Sequence, residues 1–479
     1  MLSQKSPGQL LEVGQMGRTD NWWVFPGFEI EVVATGLDLP VNLAFVPDPG
    51  SNPGAPLLYV TELYGQVKVI TNDRTVHTYA SGLLNYPPDH QFPGSGESGV
   101  TGICVEPETG DLFLSMIYME NEEIKAKAVR TSSRTRLRMD TITTIVEGIP
   151  STTRAHQIQA VTIGFDGKLY VNVAEGGESE KAQDDNDLRG KILRMNLDGT
   201  LPGDNPDPGS HVYAKGMRNP FGAAWRKSDR SLYVSINGPD RDDVIGRVKP
   251  GGNHGWPQTM RENAVFIWEF CQAPTAMAFM QDGQFPAEYD DHLFVALFGN
   301  SYARGRNVKG KKIVKMNIAP DGCDATSYDE FVTYVGDGAA TPCGLAFGPG
   351  GLYFSDLHGD TNGTTGTPSG SIYHVKPKKK LATATLAGVS LAETEKYEIV
   401  QSYVYFPPDS VNRQYVTSLD TKSVNPLLGE ATLYDVTAAD KTIKNGAWSY
   451  PEPKEAGKRI KDYISFAYGE IQMQTERSG

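Results

Sequence analysis

Three polar loops flank one apolar strand, Leu232-Tyr233-Val234-Ser235, in the middle of the chain. They read Gly216-Met217-Arg218-Asn219-Pro220-Phe221-Gly222, Asn237-Gly238-Pro239-Asp240-Arg241-Asp242-Asp243 and Gly251-Gly252-Asn253-His254-Gly255-Trp256-Pro257. Loops that gather Arg, Asn and Asp around a rigid strand are where binding and catalysis concentrate. Upstream, Ala155-His156-Gln157 precedes the apolar run Val161-Thr162-Ile163. An imidazole can take a hydroxyl proton near neutral pH, although a lone His is more often structural. Arg-Asn-Pro is equally a turn sequence, so these residues by themselves leave both readings open.

Such residues need a scaffold, and the chain repeats one. Leu-Tyr-Val or a close variant begins at Leu58, Leu112, Leu169, Leu232, Leu293 and Leu352, at intervals of 54, 57, 63, 61 and 59 residues. Six copies at a nearly constant period signal radial repetition, not alternating β/α units. A turn precedes the strand, as in Phe165-Asp166-Gly167-Lys168, where Asp-Gly supplies the positive φ of a hairpin. A third strand follows in several copies, at residues 65–70, 191–195, 312–316 and 371–375, with the alternation of half-buried strands. The pattern predicts an all-β chain: a six-bladed β-propeller over residues 28–376, then a small β-rich domain over 383–475. Residues 1–27 read as an N-terminal extension and 377–382 as a linker. The apolar run at 28–33 is expected to supply the strand that completes the last blade.

Composition narrows the function classes. Hydrophobic residues at 39% and charged residues at 22% fit a globular chain, and 479 residues exceed one ordinary core. A net charge of −13 argues against nucleic acid, whose phosphates need a basic face. The short basic cluster from Arg304 to Lys315 reads as a solvated loop. No apolar run approaches a membrane span, and residues 1–9 lack the apolar core of a secretory signal. The expected location therefore leans towards the cytoplasm, with a periplasmic or secreted location left open if the N-terminus has been trimmed, and no membrane partner is expected. Cys104, Cys271, Cys323 and Cys343 have no CxxC spacing and are expected as free thiols.

With the loops, the His156 unit and the repeat in place, residues 28–376 resemble the soluble quinoprotein glucose/sorbosone dehydrogenase family. The resemblance implies a PQQ- and calcium-dependent oxidation of a sugar or sugar-like alcohol, with an electron acceptor the sequence does not name. It implies His156 as the base that takes the hydroxyl proton while hydride leaves carbon for the quinone. Glu175, in Val173-Ala174-Glu175-Gly176-Gly177, falls at the position of the partner carboxylate. Arg218 and Asn219 match the pair that bonds the quinone oxygens, and Glu97 falls where a polar residue faces the channel. Gly238 and Pro239 match the carbonyl ligands of the cofactor-bridging calcium. Asp242 and Asp243 match an acidic pair that serves a second calcium, although Val244 stands where the glucose enzymes have Glu. The chain departs from the family at the carboxylate clamp, where Thr341 and Cys343 replace two arginines. The insertion at 299–306, with Arg304, offers a replacement cation. Those departures keep open a second reading, a non-catalytic partner-binding propeller. A third, a calcium-dependent lactonase, needs Glu, Asn and Asp side chains on one metal, and the acidic residues follow the quinoprotein spacing instead.

Beyond the Lys376-Pro377-Lys378 stretch the repeat stops. Residues 385–392, 398–402, the run Tyr405-Phe406-Pro407-Pro408-Asp409-Ser410-Val411, and residues 429–436 and 447–453, in that order, resemble the domain-of-unknown-function family four-two-seven. No Gly-rich phosphate loop or paired-carboxylate metal site supports nucleotidyl transfer. Tyr405, Tyr434, Trp448 and Tyr450 read as sandwich core or as the lining of a ligand pocket, with Asp435 and Lys422 as polar candidates if they face inward.

Overall fold

Every Leu-Tyr-Val run forms the second strand of an antiparallel meander. The computed structural model describes residues 18–87, 97–153, 155–299, 304–306, 309–361, 368–378 and 381–475. The first sheet runs Pro40–Phe45, Pro56–Glu62, Gln66–Thr71, Val76–Ala80, and the second Val100–Val105, Leu112–Glu120, Glu123–Ser132, Thr141–Ser151. The third runs Ile158–Ile163, Leu169–Val173, Lys191–Met195, Val212–Lys215, and the fourth Asn219–Trp225, Leu232–Asn237, Asp243–Val248, Ala264–Trp268. The fifth holds Pro274–Phe279, His292–Leu297, Lys312–Ile318 and Ala325–Tyr334, and the sixth Pro342–Gly348, Gly351–Asp356 and Gly370–Pro377.

The N-terminus completes the last two sheets. Phe28–Leu37 pairs antiparallel with Gly370–Pro377 as the outer strand of the sixth, from Phe28 opposite Pro377 to Leu37 opposite Gly370. Trp22–Val24 pairs with Ala325–Tyr334 as a fifth strand of the fifth sheet. The stretch read from sequence as an extension is therefore partly built into a sheet, because Trp22 packs edge-on against Tyr334, Phe354 and Tyr373. Deleting residues 1–35 is expected to leave the chain unfolded or aggregated at 25 °C. It removes Trp22 and Phe28, 5% and 4% exposed, each contributing about 2–3 kcal/mol of burial. Loss of the cooperative thermal transition in circular dichroism checks this.

Packing explains why the second strands read as unbroken apolar runs. The leading Leu of each of the six runs is at most 1% exposed, because its sheet is covered on both faces by the neighbouring sheets. Tyr59 and Leu114 share a core between the first and second sheets, and Ile117 and Leu169 one between the second and third. Ile192 packs with Val234, Tyr233 with Val295, and Phe294 with Phe354 across the next three junctions. Tyr353 and Leu58 close the ring between the sixth sheet and the first. The residue after each Leu-Tyr-Val adds a polar stitch. Thr61 Oγ1 donates to the Thr101 carbonyl at 3.5 Å, Ser115 Oγ to Gln159, Asn172 Nδ2 to Pro220 at 3.2 Å, Ser235 Oγ to Thr275 at 2.7 Å and Ser355 Oγ to Val41 at 3.2 Å. Each of these reaches the first strand of the next sheet. In the fifth sheet Ala296 holds that place, and Thr275 Oγ1 reaches the Cys343 carbonyl at 2.8 Å instead.

The chain divides into two compact units, Met1–Pro377 and Lys378–Gly479. The second unit contains a three-stranded sheet and a six-stranded sheet ordered Glu398–Val400, Tyr403–Phe406, Ile464–Phe466, Lys441–Ser449, Gly429–Ala438, Val416–Asn425. Residues 385–392, read from sequence as one strand, form a hairpin between Ala382–Leu386 and Val389–Thr394. Ala387 and Gly388 take φ of +50° and +80°, the left-handed pair a two-residue turn requires. Tyr405 and Tyr450 pack into a core with Leu428 and Ile460, while Trp448 and Tyr434 lie partly buried beside the two cores. Asp435 is held by Lys444 Nζ at 2.5 Å and the Asn445 N–H at 2.9 Å; Lys422 pairs with Glu430 at the surface. Among the described residues no helix is long and apolar enough to cross a membrane.

Candidate active site

In each sheet of the first unit, one rim is built by the segment entering the first strand and by the connection from second to third strand. His156, Glu97, Arg218 and Asn219 stand at entries to first strands; Glu175, Gly238, Pro239 and Arg304 stand on second-to-third connections, and Asp243 begins a third strand. Topology therefore brings all the sequence-derived candidates to one rim.

His156 Nδ1 lies 2.9 Å from Glu175 Oε1, and the two side chains are 19% and 5% exposed. Burial pushes the Glu175 carboxyl up, but hydrogen bonds from His156, Trp256 and Ser179 outweigh it and hold the group below the usual carboxylate range. An ionised Glu175 only accepts, so Nδ1 carries the proton and the Nε2 lone pair is left as the basic atom. The His156 backbone sits at φ +54°, a left-handed conformation rare for a side-chain-bearing residue. Two bonds hold it there: its N–H donates to Glu97 Oε2, and its carbonyl accepts from the Gly176 N–H at 3.1 Å.

Glu97 also accepts from Asn219 Nδ2 at 3.2 Å, so one carboxylate ties the entries of the third and fourth sheets together. That bond fixes the Asn219 amide, because a carboxylate can face only its NH₂ end. Asn219 Oδ1 is then buried with no partner among the described residues. Arg218 sends its carbonyl to the Glu175 N–H at 2.8 Å and its guanidinium to the Asn237 and Gly238 carbonyls at 3.1 and 2.9 Å. Glu175 thus joins the two segments, its carboxylate to the His156 imidazole and its N–H to the Arg218 backbone.

Trp256 is the member that sequence reasoning missed. Its Nε1 donates to Glu175 Oε2, and its ring lies 5.8 Å from the Arg218 guanidinium. Its place in Asn253-His254-Gly255-Trp256-Pro257 was the available signal. Nothing in that run says which of the distant residues it reaches.

Asp243 is fully buried, its Oδ1 accepting from the Gly238 N–H at 2.7 Å and Oδ2 from the Gln272 and Ala273 N–H groups at 2.5 and 2.8 Å. It closes the Gly238-Pro239 turn rather than offering a free ligand oxygen, and burial raises its carboxyl above the usual range despite those donors. Asp242 pairs outward with Arg261 at 2.7 Å. Among the described residues no three His, Cys, Asp or Glu side chains gather around a metal position. Arg304, offered as a replacement cation, is exposed. Thr341 and Cys343 are fully buried: Thr341 Oγ1 donates to the Phe298 carbonyl at 2.6 Å, and Cys343 packs with Leu39, Val41, Leu63, Phe221 and Leu357 in the hub.

Two buried histidines contribute to the acid sensitivity of this unit. His254 has both ring nitrogens without partners among the described residues, and burial with the nearby Lys249 charge pushes it down to about 4. His358 is likewise pushed down to about 4 by burial and Lys311. Folded values below the unfolded value near 6.5 mean a contribution present above that pH and lost as pH falls through about 4. Asp356, pushed up to about 7 by burial, acts oppositely: its contribution is present below its unfolded value and lost as pH rises through 7. Each histidine is expected to cost about 2–3 kcal/mol between pH 7 and 4.5. Urea titrations at the two pH values check this, with His254→Leu flattening the dependence.

The ring of sheets defines the class by its fold, a β-propeller-like protein. The chain belongs to the glucose/sorbosone dehydrogenase family, whose model matches residues 37–323. Residues 374–478 match the domain of unknown function DUF427. The chain is 28% identical over 259 residues to quinoprotein glucose dehydrogenase B of Acinetobacter calcoaceticus, spanning 48% of this chain and 52% of that one. It is 26% identical over 328 residues to the aldose sugar dehydrogenase YliI of Escherichia coli K12, covering 61% of this chain and 84% of the other. The match thus spans about half the length of the first relative. Among solved structures, an oxidoreductase (glucose dehydrogenase) of Thermus thermophilus superposes with a TM-score of 0.59 at 25% identity, over 73% of this chain and 100% of that one. The PQQ-bound aldose sugar dehydrogenase of Streptomyces coelicolor shares the fold, with a TM-score of 0.56 at 24% identity over 74% of this chain and 100% of the other.

Proposed function

We propose that this protein is a quinone-linked dehydrogenase of sugars or sugar-like alcohols, with His156 as the general base and PQQ as the expected quinone. The observation that carries the reading is the His156–Glu175–Trp256 chain of hydrogen bonds on the same rim as Arg218 and Asn219. The ring of six sheets then works as a six-bladed propeller over residues 28–376, with the domain at 383–475 following it.

Each residue has a derived task. His156 Nε2 accepts the hydroxyl proton, and the ionised Glu175 stabilises the imidazolium that forms. The Arg218 guanidinium would donate to an oxygen atom that gains charge, and the unpartnered Asn219 Oδ1 would accept from an O–H or N–H of a bound group. These residues fit the quinone end of such a group. When bound, PQQ supplies the two-electron acceptor for the hydride leaving the carbinol carbon. Calcium would rest on the Gly238 and Pro239 carbonyls, the first of which must exchange its Arg218 bond for the ion.

Addition of PQQ and calcium to the apoprotein is expected to produce a new absorbance band that an aldose then bleaches. EDTA should weaken the band. No band at saturating quinone would overturn the reading.

A further inference from the structure

A cavity of about 310 Å³ opens on the rim opposite His156, between the third and fourth sheets. It lies where the first strand of the fourth sheet ends, the second begins and the third ends, so no connection of the His156 rim reaches it. Leu232 and Val248, both buried, line it together with the aromatic residues Tyr213 and Trp225.

The charged groups at its mouth are all cations: Arg230, Arg247 and Lys249. Arg247 is already engaged, donating to Ser231 Oγ at 3.0 Å and the Asp321 carbonyl at 2.6 Å, with Asp229 at 3.5 Å. Asp229 is shared with Arg226 at 3.5 Å and with the Tyr233 hydroxyl at 2.7 Å. The other two make no ion pair among the described residues. Arg230 lies 5.0 Å over the Phe165 ring and donates to the Phe165 carbonyl at 3.3 Å, and Lys249 is exposed. A smaller hollow of about 80 Å³ shares Arg247 and Lys249 and adds Asn263.

We propose that this cavity binds a flat organic anion, of the aromatic carboxylate class, at a site separate from the dehydrogenase rim. Arg230 and Lys249 bring to this cavity positive charge that no described carboxylate pairs, and a guest carboxylate is favoured beside them. The aromatic and apolar residues of the lining take the face and edge of a ring, and Arg230 and Lys249 take its carboxylate. The volume lies at the lower end of small-molecule sites, which sets the guest at one or two fused rings.

Isothermal titration of the full chain with 2-naphthoate, and with the uncharged 2-naphthamide, tests the site. Saturable naphthoate binding at least tenfold tighter than that of the amide is expected, weakening as salt is raised. The double variant R230A/K249A, with both side chains exposed, should lose tenfold or more in affinity, whereas H156N should bind naphthoate unchanged. If the double variant does not melt like the parent, the single change K249E carries the same expectation. Equal binding of acid and amide, unchanged affinity in folded variants, a loss confined to H156N, or no saturable binding would each overturn the proposal.

Discussion

Exchanging His156 for alanine is expected to lower kcat for aldose oxidation by about 10²- to 10⁴-fold, the range of a lost general base. The same change leaves KM nearly unaltered, because the imidazole acts on a proton in flight rather than on the resting sugar. Alanine also removes a side chain from a position at φ +54°, where β-carbon crowding costs about 1–2 kcal/mol. His156→Asn separates the two effects, since Asn tolerates left-handed backbone and cannot act as a base near neutral pH. Steady-state kinetics with a melting curve for each variant checks this. Full turnover in a folded H156N protein would remove His156 from the mechanism.

The second large effect is expected for Glu175→Gln. The carboxylate and the amide have nearly the same shape, so the Trp256 Nε1 bond survives and the loop at 173–177 keeps its place. The amide NH₂, however, donates to Nδ1 and drives the imidazole proton onto Nε2, the atom that must accept. The developing imidazolium also loses its counter-charge. An exchange of this kind in a His–carboxylate pair costs about 10³- to 10⁴-fold in kcat. A ¹⁵N spectrum of the His156 ring is expected to show the tautomer reversed. Glu175→Asp should recover part of the rate, because it keeps the charge at a shorter reach.

These two variants bear on the proton; reconstitution bears on the hydride. A chain that forms the quinone band but loses turnover in both variants has the rim geometry working as derived. A chain that forms no band fails at the cofactor, and the buried Thr341 and Cys343, which present no cation to a carboxylate, are where that failure would begin.

The sequence alone determined the repeat. Leu-Tyr-Val marks six second strands because each must be apolar on both faces, and a strand at 28–33 was needed to complete a sheet that otherwise has three. Residue types at loop positions also marked His156, Arg218 and Asn219, since donors and bases at strand entries have a small set of uses. Which residues meet was decided only by ring closure. Glu97 reaches His156 and Asn219 across 59 and 122 positions, and Trp256 reaches Glu175 across 81, distances in the chain that no local pattern encodes. The partners of Asp243 were hidden for the same reason: the Gln272 and Ala273 N–H groups that donate to it arrive from just before the first strand of the next sheet. Local sequence specifies what a side chain can do, and packing of neighbouring sheets specifies what it touches.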